Sequence, residues 1–219
     1  MLSVLFSYNH QQDAANLLRG LQSVNNPRPS RIEASYLRYV NGHVSNHTAL
    51  MFVQHYLVTN GISIDTATMR ISSAWEQVRK PFLSRVREIF KCEYPLPSIQ
   101  AYLTIDTRCT YSIIRNTFHV SINSRDPALQ VMHELFHFYT WHALNIFSFT
   151  DILSCAQYND LKEALTELLN VEFSDLMLGS RDKGYEQHRK LRRLVRLLWT
   201  RHQDFYALIR DPELKKAIK

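Results

Sequence analysis

The pentapeptide His133-Glu134-Leu135-Phe136-His137 places two imidazoles four residues apart, with a carboxylate beside the first. On a helix, residues four apart lie on one face about a turn from each other, so both rings can reach a single metal ion from one rigid element. Glu134 is rotated by about 100° from His133, off the ligand face but within reach of water held by that ion. Neutral imidazole suits borderline-soft divalent cations, and zinc is the expected occupant. The chain has only 10 histidines in 219 residues, so an accidental HExxH is rare.

Two histidines leave zinc short of protein ligands. The extended pattern HExxHxxGxxH requires Gly at 140 and His at 143. This chain has Thr140 and Ala143, with His142 one residue out of register and so about 100° around the helix. That pattern is excluded. Downstream, Glu163-Ala164-Leu165-Thr166-Glu167 opens a different arrangement, in which Glu163 and Glu167 share a helix face flanked by Leu161, Leu165, Leu168 and Leu169. Glu163 is the expected third ligand. Glu167, one turn on, is expected to accept a hydrogen bond from the far nitrogen of a ligand histidine.

From His119 to Glu167 the chain resembles the gluzincin-type zinc metallopeptidases, which pair an HExxH helix with a downstream glutamate helix. The resemblance implies a zincin-like core that hydrolyses peptide bonds by a metal-activated water. His133, His137 and Glu163 would be the ligands, Glu134 the general base, and Glu167 the group behind a histidine. It also implies that residues 117–123 form an edge strand along which a peptide substrate adds as a further strand. Tyr158, Tyr185 and His188 are candidates for the oxyanion donor that such enzymes use. Two positions depart from the family pattern: Lys162 stands where Asn often precedes the ligand, and Glu167 replaces the shorter Asp.

The elements that must position these groups are mostly helical by pattern. Helices are expected over 11–24, 31–41, 47–59 and 71–91, the last broken near Pro81. Residues 25–30, with two prolines, read as a loop. After Pro95-Leu96-Pro97 the composition turns β-branched and aromatic. Residues 99–105, 110–114 and 117–123 are expected as a small meander with one wet face carrying His119. Asp126-Pro127 starts the HExxH helix, which should run to about Leu144. A long loop from Asn145 to Asn159 follows. A helix capped by Asn159 or Asp160 should then end at Gly179, and residues 184–209 are helical in pattern. The resulting class is α+β, mostly helical, with a small antiparallel or mixed sheet. A helical N-terminal region (1–92) is expected to pack on a catalytic core (93–219).

Composition bounds the partners. With 45% hydrophobic and 21% charged residues the chain can bury a sizeable core. No apolar run approaches the ~20 residues of a membrane span, and Met1 to Tyr8 lack the basic leader of a secretory signal. Three cysteines (Cys92, Cys109, Cys155) without a CxxC pair point to a reducing, cytoplasmic setting. Of the net charge of +6, residues 181–219 carry 12 Lys/Arg against 5 Asp/Glu, leaving the remainder near neutral. That basic segment raises an alternative: a nucleic-acid-binding or peptide-binding protein on a protease-like fold, with a structural or inactive metal site.

Overall fold

In a computed structural model, which describes residues 2–22, 28–146 and 153–218, the chain opens with a strand, β1 (Ser3–Tyr8). Asn9 then caps α1 (His10–Leu21), its side chain accepting from the Gln12 amide. Ser30 and Ser45 begin α2 (Arg31–Tyr39) and α3 (Asn46–Thr59) with capping boxes, through Glu33 and Thr48. Next come α4 (Ile64–Phe90), β2 (Ser98–Thr104), β3 (Tyr111–Ser112) and β4 (Thr117–Ser121). Then follow α5 (Pro127–Ile146), α6 (Cys155–Leu165), α7 (Glu167–Glu172), α8 (Arg189–His202), α9 (Phe205–Arg210) and α10 (Pro212–Ile218). The protein is thus mostly helical with one small four-stranded mixed sheet, an α+β chain.

Residues 1–76 with 96–127 form one compact unit, and residues 77–95 with 128–219 form another. The chain passes between the units inside α4, again at 95/96 and again at 127/128, and all four strands of the sheet belong to the first unit.

In the first unit the strand order is β1-β2-β4-β3, with β1, β2 and β4 parallel and only β3 antiparallel. The expected meander is therefore corrected. Sequence neighbours 99–105 and 110–114 do not pair with each other, because the N-terminal residues 3–8 supply the strand beside β2. Two further corrections concern residues 117–123. That segment is not an edge: β2 lies on one side, while β3 and the Thr110 carbonyl (3.0 Å from the His119 amide) take up the other. Nor does it have a wet face, since Phe118, His119, Val120 and Ser121 are all buried. The outer strands are β1, where Leu5 is exposed, and the two-residue β3.

In the second unit α4 runs through Pro81 without ending. A proline inside a helix, which removes one hydrogen bond and crowds the preceding turn, costs about 3 kcal/mol, and burial of Val78, Phe82, Leu83, Val86 and Phe90 along that stretch outweighs it. Phe90 packs edge-on against Phe136 and Phe205, joining α4 to the HExxH helix and to α9. The long loop expected over 145–159 is shorter: α5 continues to Ile146, and a Ser154–Gln157 capping box starts α6 at Cys155, ahead of Asn159 and Asp160. Residues 147–152 lie outside the described part. The helix expected to reach Gly179 breaks at Thr166. There the Thr166 hydroxyl donates to the Glu163 carbonyl (2.8 Å), and a side chain from α8 donates to that carbonyl as well. The segment 184–209 also divides. Gln203 adopts a left-handed conformation (φ 45°) that ends α8, and Asp204 caps α9.

Candidate metal centre

α5 is apolar around most of its circumference, with Val131, Met132, Leu135, Phe136, Phe138 and Tyr139 buried. Its central position carries Glu134 and His137 into the interior as well, 5% and 2% exposed. His133 and His137 stand one turn apart with their rings nearly perpendicular, centroids 4.5 Å apart. α6 brings Glu163 to them. One carboxylate oxygen, Oε1, is 3.4 Å from His137 Nε2, and the other, Oε2, is 3.8 Å from His133 Nε2. One ligand atom from each of the three residues lies within 4.8 Å of the other two.

These separations, which run to the two different oxygens of Glu163, are close to those found around a shared cation. Tetrahedral bonds of about 2.0–2.1 Å place ligand atoms roughly 3.3 Å from one another. Glu163 Oε2 is buried without a hydrogen-bond partner, and so is Glu134 Oε2. A buried acceptor left unpaired costs stability, and a divalent ion would satisfy the first of them. Two imidazoles and a carboxylate are a donor set that transition-metal ions accept.

The electrostatics follow from burial and neighbours. Burial opposes ionisation of Glu163, but His137, Lys162 and His133 outweigh it and hold the carboxyl down at about 2. Burial also works against a charged His133; the Asp182 carboxylate overcomes it and raises the ring to about 9. Burial drives His137 well below its ordinary range, outweighing the pull of the Glu163 carboxylate. Burial pushes Glu134 up to about 7, where it can accept or release a proton near neutrality.

Around the cluster lies a group of residues that spacing did not reveal. Asp182 Oδ2 accepts from His133 Nδ1 at 2.8 Å, which leaves Nε2 for the cation. Asp182 is itself fixed at several points. Its amide donates to Asn170 Oδ1 (2.9 Å), and its carbonyl takes Arg192 Nη2 (2.7 Å) and Asn170 Nδ2 (2.8 Å). Gly184 completes the turn, donating its amide to Asp182 Oδ1 at 2.9 Å. At its φ of +57° a side chain is strained, and a Cβ would also fall 2.6 Å from the Arg192 guanidinium. Arg192 further ties Thr166 Oγ1 (2.6 Å) and the Glu163 carbonyl (3.1 Å).

Glu167 does not meet His133 or His137. It pairs with Arg192 (2.9 Å) and Arg196, and Asp182 takes the place foreseen for it. The extra methylene and the break at Thr166 let Glu167 reach α8 instead. Lys162 is buried, its ammonium 2.6 Å from Glu163 Oε1. The candidate oxyanion donors have other neighbours. Tyr158 packs edge-on against Trp141, and exposed Tyr185 packs against His188. His188 pairs through Nε2 with Asp160 at 2.8 Å, beside a cavity of about 400 Å³ that also involves Lys190, Leu191 and Leu194.

No family model matches the chain, and no curated protein or solved structure matches it. The functional reading therefore rests on the geometry above. No helix among the described residues is long and apolar enough to cross a membrane.

Proposed function

We propose that the protein is a zinc-dependent metallopeptidase, with His133, His137 and Glu163 holding the ion and Glu134 acting as general base. The observation that carries this reading is the convergence of three donor groups from two helices beside a buried carboxylate whose Oε2 has no hydrogen-bond partner. Zinc bound there would supply a Lewis acid that polarises the scissile carbonyl and makes nearby water more acidic. Glu134 Oε2 takes a proton from the attacking water and hands it to the departing amine nitrogen as the C–N bond breaks. A carboxyl held at about 7 is matched to both transfers. Asp182 keeps the His133 ring in one tautomer and one orientation. Arg192 and Asn170 hold Asp182 in turn.

The nucleic-acid alternative draws less support. Arg192 points inward, while Arg189, Arg196 and Arg201 of α8 are occupied by Glu186, Glu167 and Glu213. Much of the apparent basic surplus of that helix is spent on intramolecular pairs.

The test is metal content after native purification, together with cleavage of an unfolded protein substrate. Wild type should carry or take up one zinc per chain and cut. Glu134→Gln should keep zinc and lose cleavage by about 10²–10⁴-fold, the range expected for removing a general base. Glu163→Gln should lose both. A wild type that cannot take up zinc, or a Glu134→Gln variant that cuts as well as wild type, overturns the proposal.

A further inference from the structure

Lys162 belongs to neither the ligand set nor the general base, yet its side chain is only 8% exposed, and its ammonium is 2.6 Å from Glu163 Oε1. An ammonium brought this far from water must be compensated. Among its partners is one oxygen of the very carboxylate proposed as a ligand. The two oxygens of Glu163 are thereby made unequal. Oε1 carries the lysine and faces His137 Nε2 at 3.4 Å, whereas Oε2 has no hydrogen-bond partner and faces His133 Nε2 at 3.8 Å. A carboxylate oxygen that donates electron density to an ammonium is a poorer donor to a cation. Direct repulsion between the ammonium and a dication also disfavours metal binding on that side.

We propose that Lys162 is a positioning residue that makes Glu163 a one-oxygen ligand, reserving Oε1 for the ammonium and offering Oε2 alone to the ion. This rests on the metal-site reading above and adds to it the denticity of the third ligand. The arrangement trades affinity for a low coordination number: a neutral side chain at 162 would release Oε1 to bind as well.

Cobalt(II) substitution reads this without any turnover, because four-coordinate cobalt absorbs visible light several-fold more strongly than the five-coordinate ion. Wild type loaded with cobalt should show the intense four-coordinate bands. Lys162→Met should lose most of that intensity and bind cobalt about tenfold more tightly or better, since Oε1 is freed and the repulsion removed. Lys162→Arg, which keeps a cationic donor, should retain the wild-type bands. A lysine serving only to stabilise the fold would lower stability in Lys162→Met and leave the spectrum of the loaded protein unchanged. An unchanged spectrum in loaded Lys162→Met overturns the proposal, and so do weak five-coordinate bands in wild type itself, even should Lys162→Met fail to fold. If wild type takes up no cobalt, the metal-site reading falls, and this proposal with it.

Discussion

Asp13 in the first unit and Glu163 in the second are both helix-borne carboxylates removed from water, but their oxygens are treated differently. Asp13 Oδ1 receives Thr104 Oγ1 at 2.6 Å, Oδ2 receives the Tyr8 hydroxyl at 3.0 Å, and the Ile105 amide lies 3.2 Å from both. Every acceptor there has a donor, and the group closes the C-terminal end of β2. Glu163 and its neighbour Glu134 each keep one buried oxygen without any donor. Buried polar groups are normally satisfied, so the first arrangement is that of a structural residue. The second gives up stability at a place where a ligand could recover it. Glu33 Oε1 and Asp106 Oδ2 in the first unit also lack a donor, so what sets Glu163 apart is the pair of imidazole nitrogens 3.4 and 3.8 Å from its oxygens.

The largest effect that would test this contrast is on stability. Asp13→Ala should cost about 3–5 kcal/mol by chemical denaturation, because three donors, two of them buried, lose their acceptor at once. Glu134→Gln in metal-free protein should cost less than about 1 kcal/mol, or stabilise, since it removes a buried charge that no hydrogen bond repays. Equal losses for the two variants would abolish the distinction.

A somewhat smaller effect should appear with pH. Burial holds His119 at about 4, below its ordinary 6.5. Between those values the unfolded chain binds the proton and the folded chain does not, so stability falls as pH drops through the window, by up to about 3 kcal/mol. Asp13 acts in the opposite sense. Burial raises it to about 6 from 3.8, so the folded state takes up the proton first and gains stability as pH falls. His119→Gln removes the first contribution and leaves the second. Its stability relative to wild type should therefore rise by about 3 kcal/mol from pH 6.5 to 4, and parallel curves would refute the assignment.

The smallest effect expected is at the metal centre. Asp182→Asn keeps the shape but weakens the hold on His133, and zinc affinity measured by competition with a chelator should drop about 10–100-fold. No change in affinity would mean that Asp182 positions the loop and not the ring.

Much of the centre could be read directly from residue types. His133, Glu134 and His137 sit on one helix, where a fixed period converts spacing into geometry, and the apolar flanks of Glu163 marked its helix as buried. Asp182 could not be read in this way. It is 49 residues from His133, in a turn without regular periodicity. Arg192 left a trace, for it interrupts the buried stripe of α8 between His188, Val195 and Trp199. A basic residue on an apolar stripe calls for a buried partner. The sheet was legible in β2 and β4 from their β-branched and aromatic residues. Its parallel pairing was not, because strand direction depends on which distant segment lies alongside, and the partner of β2 is the N-terminal Ser3–Tyr8.

The sequence by itself determined the helical content, the strand segments upstream of the HExxH motif, and the three groups able to share a cation, because each follows from local period and residue chemistry. Tertiary structure alone decided that Asp182 and not Glu167 supports His133, that Lys162 pairs with Glu163, and that residues 117–121 lie inside the sheet. Those outcomes depend on contacts between segments far apart in the chain, where nothing in local conformation dictates which groups meet.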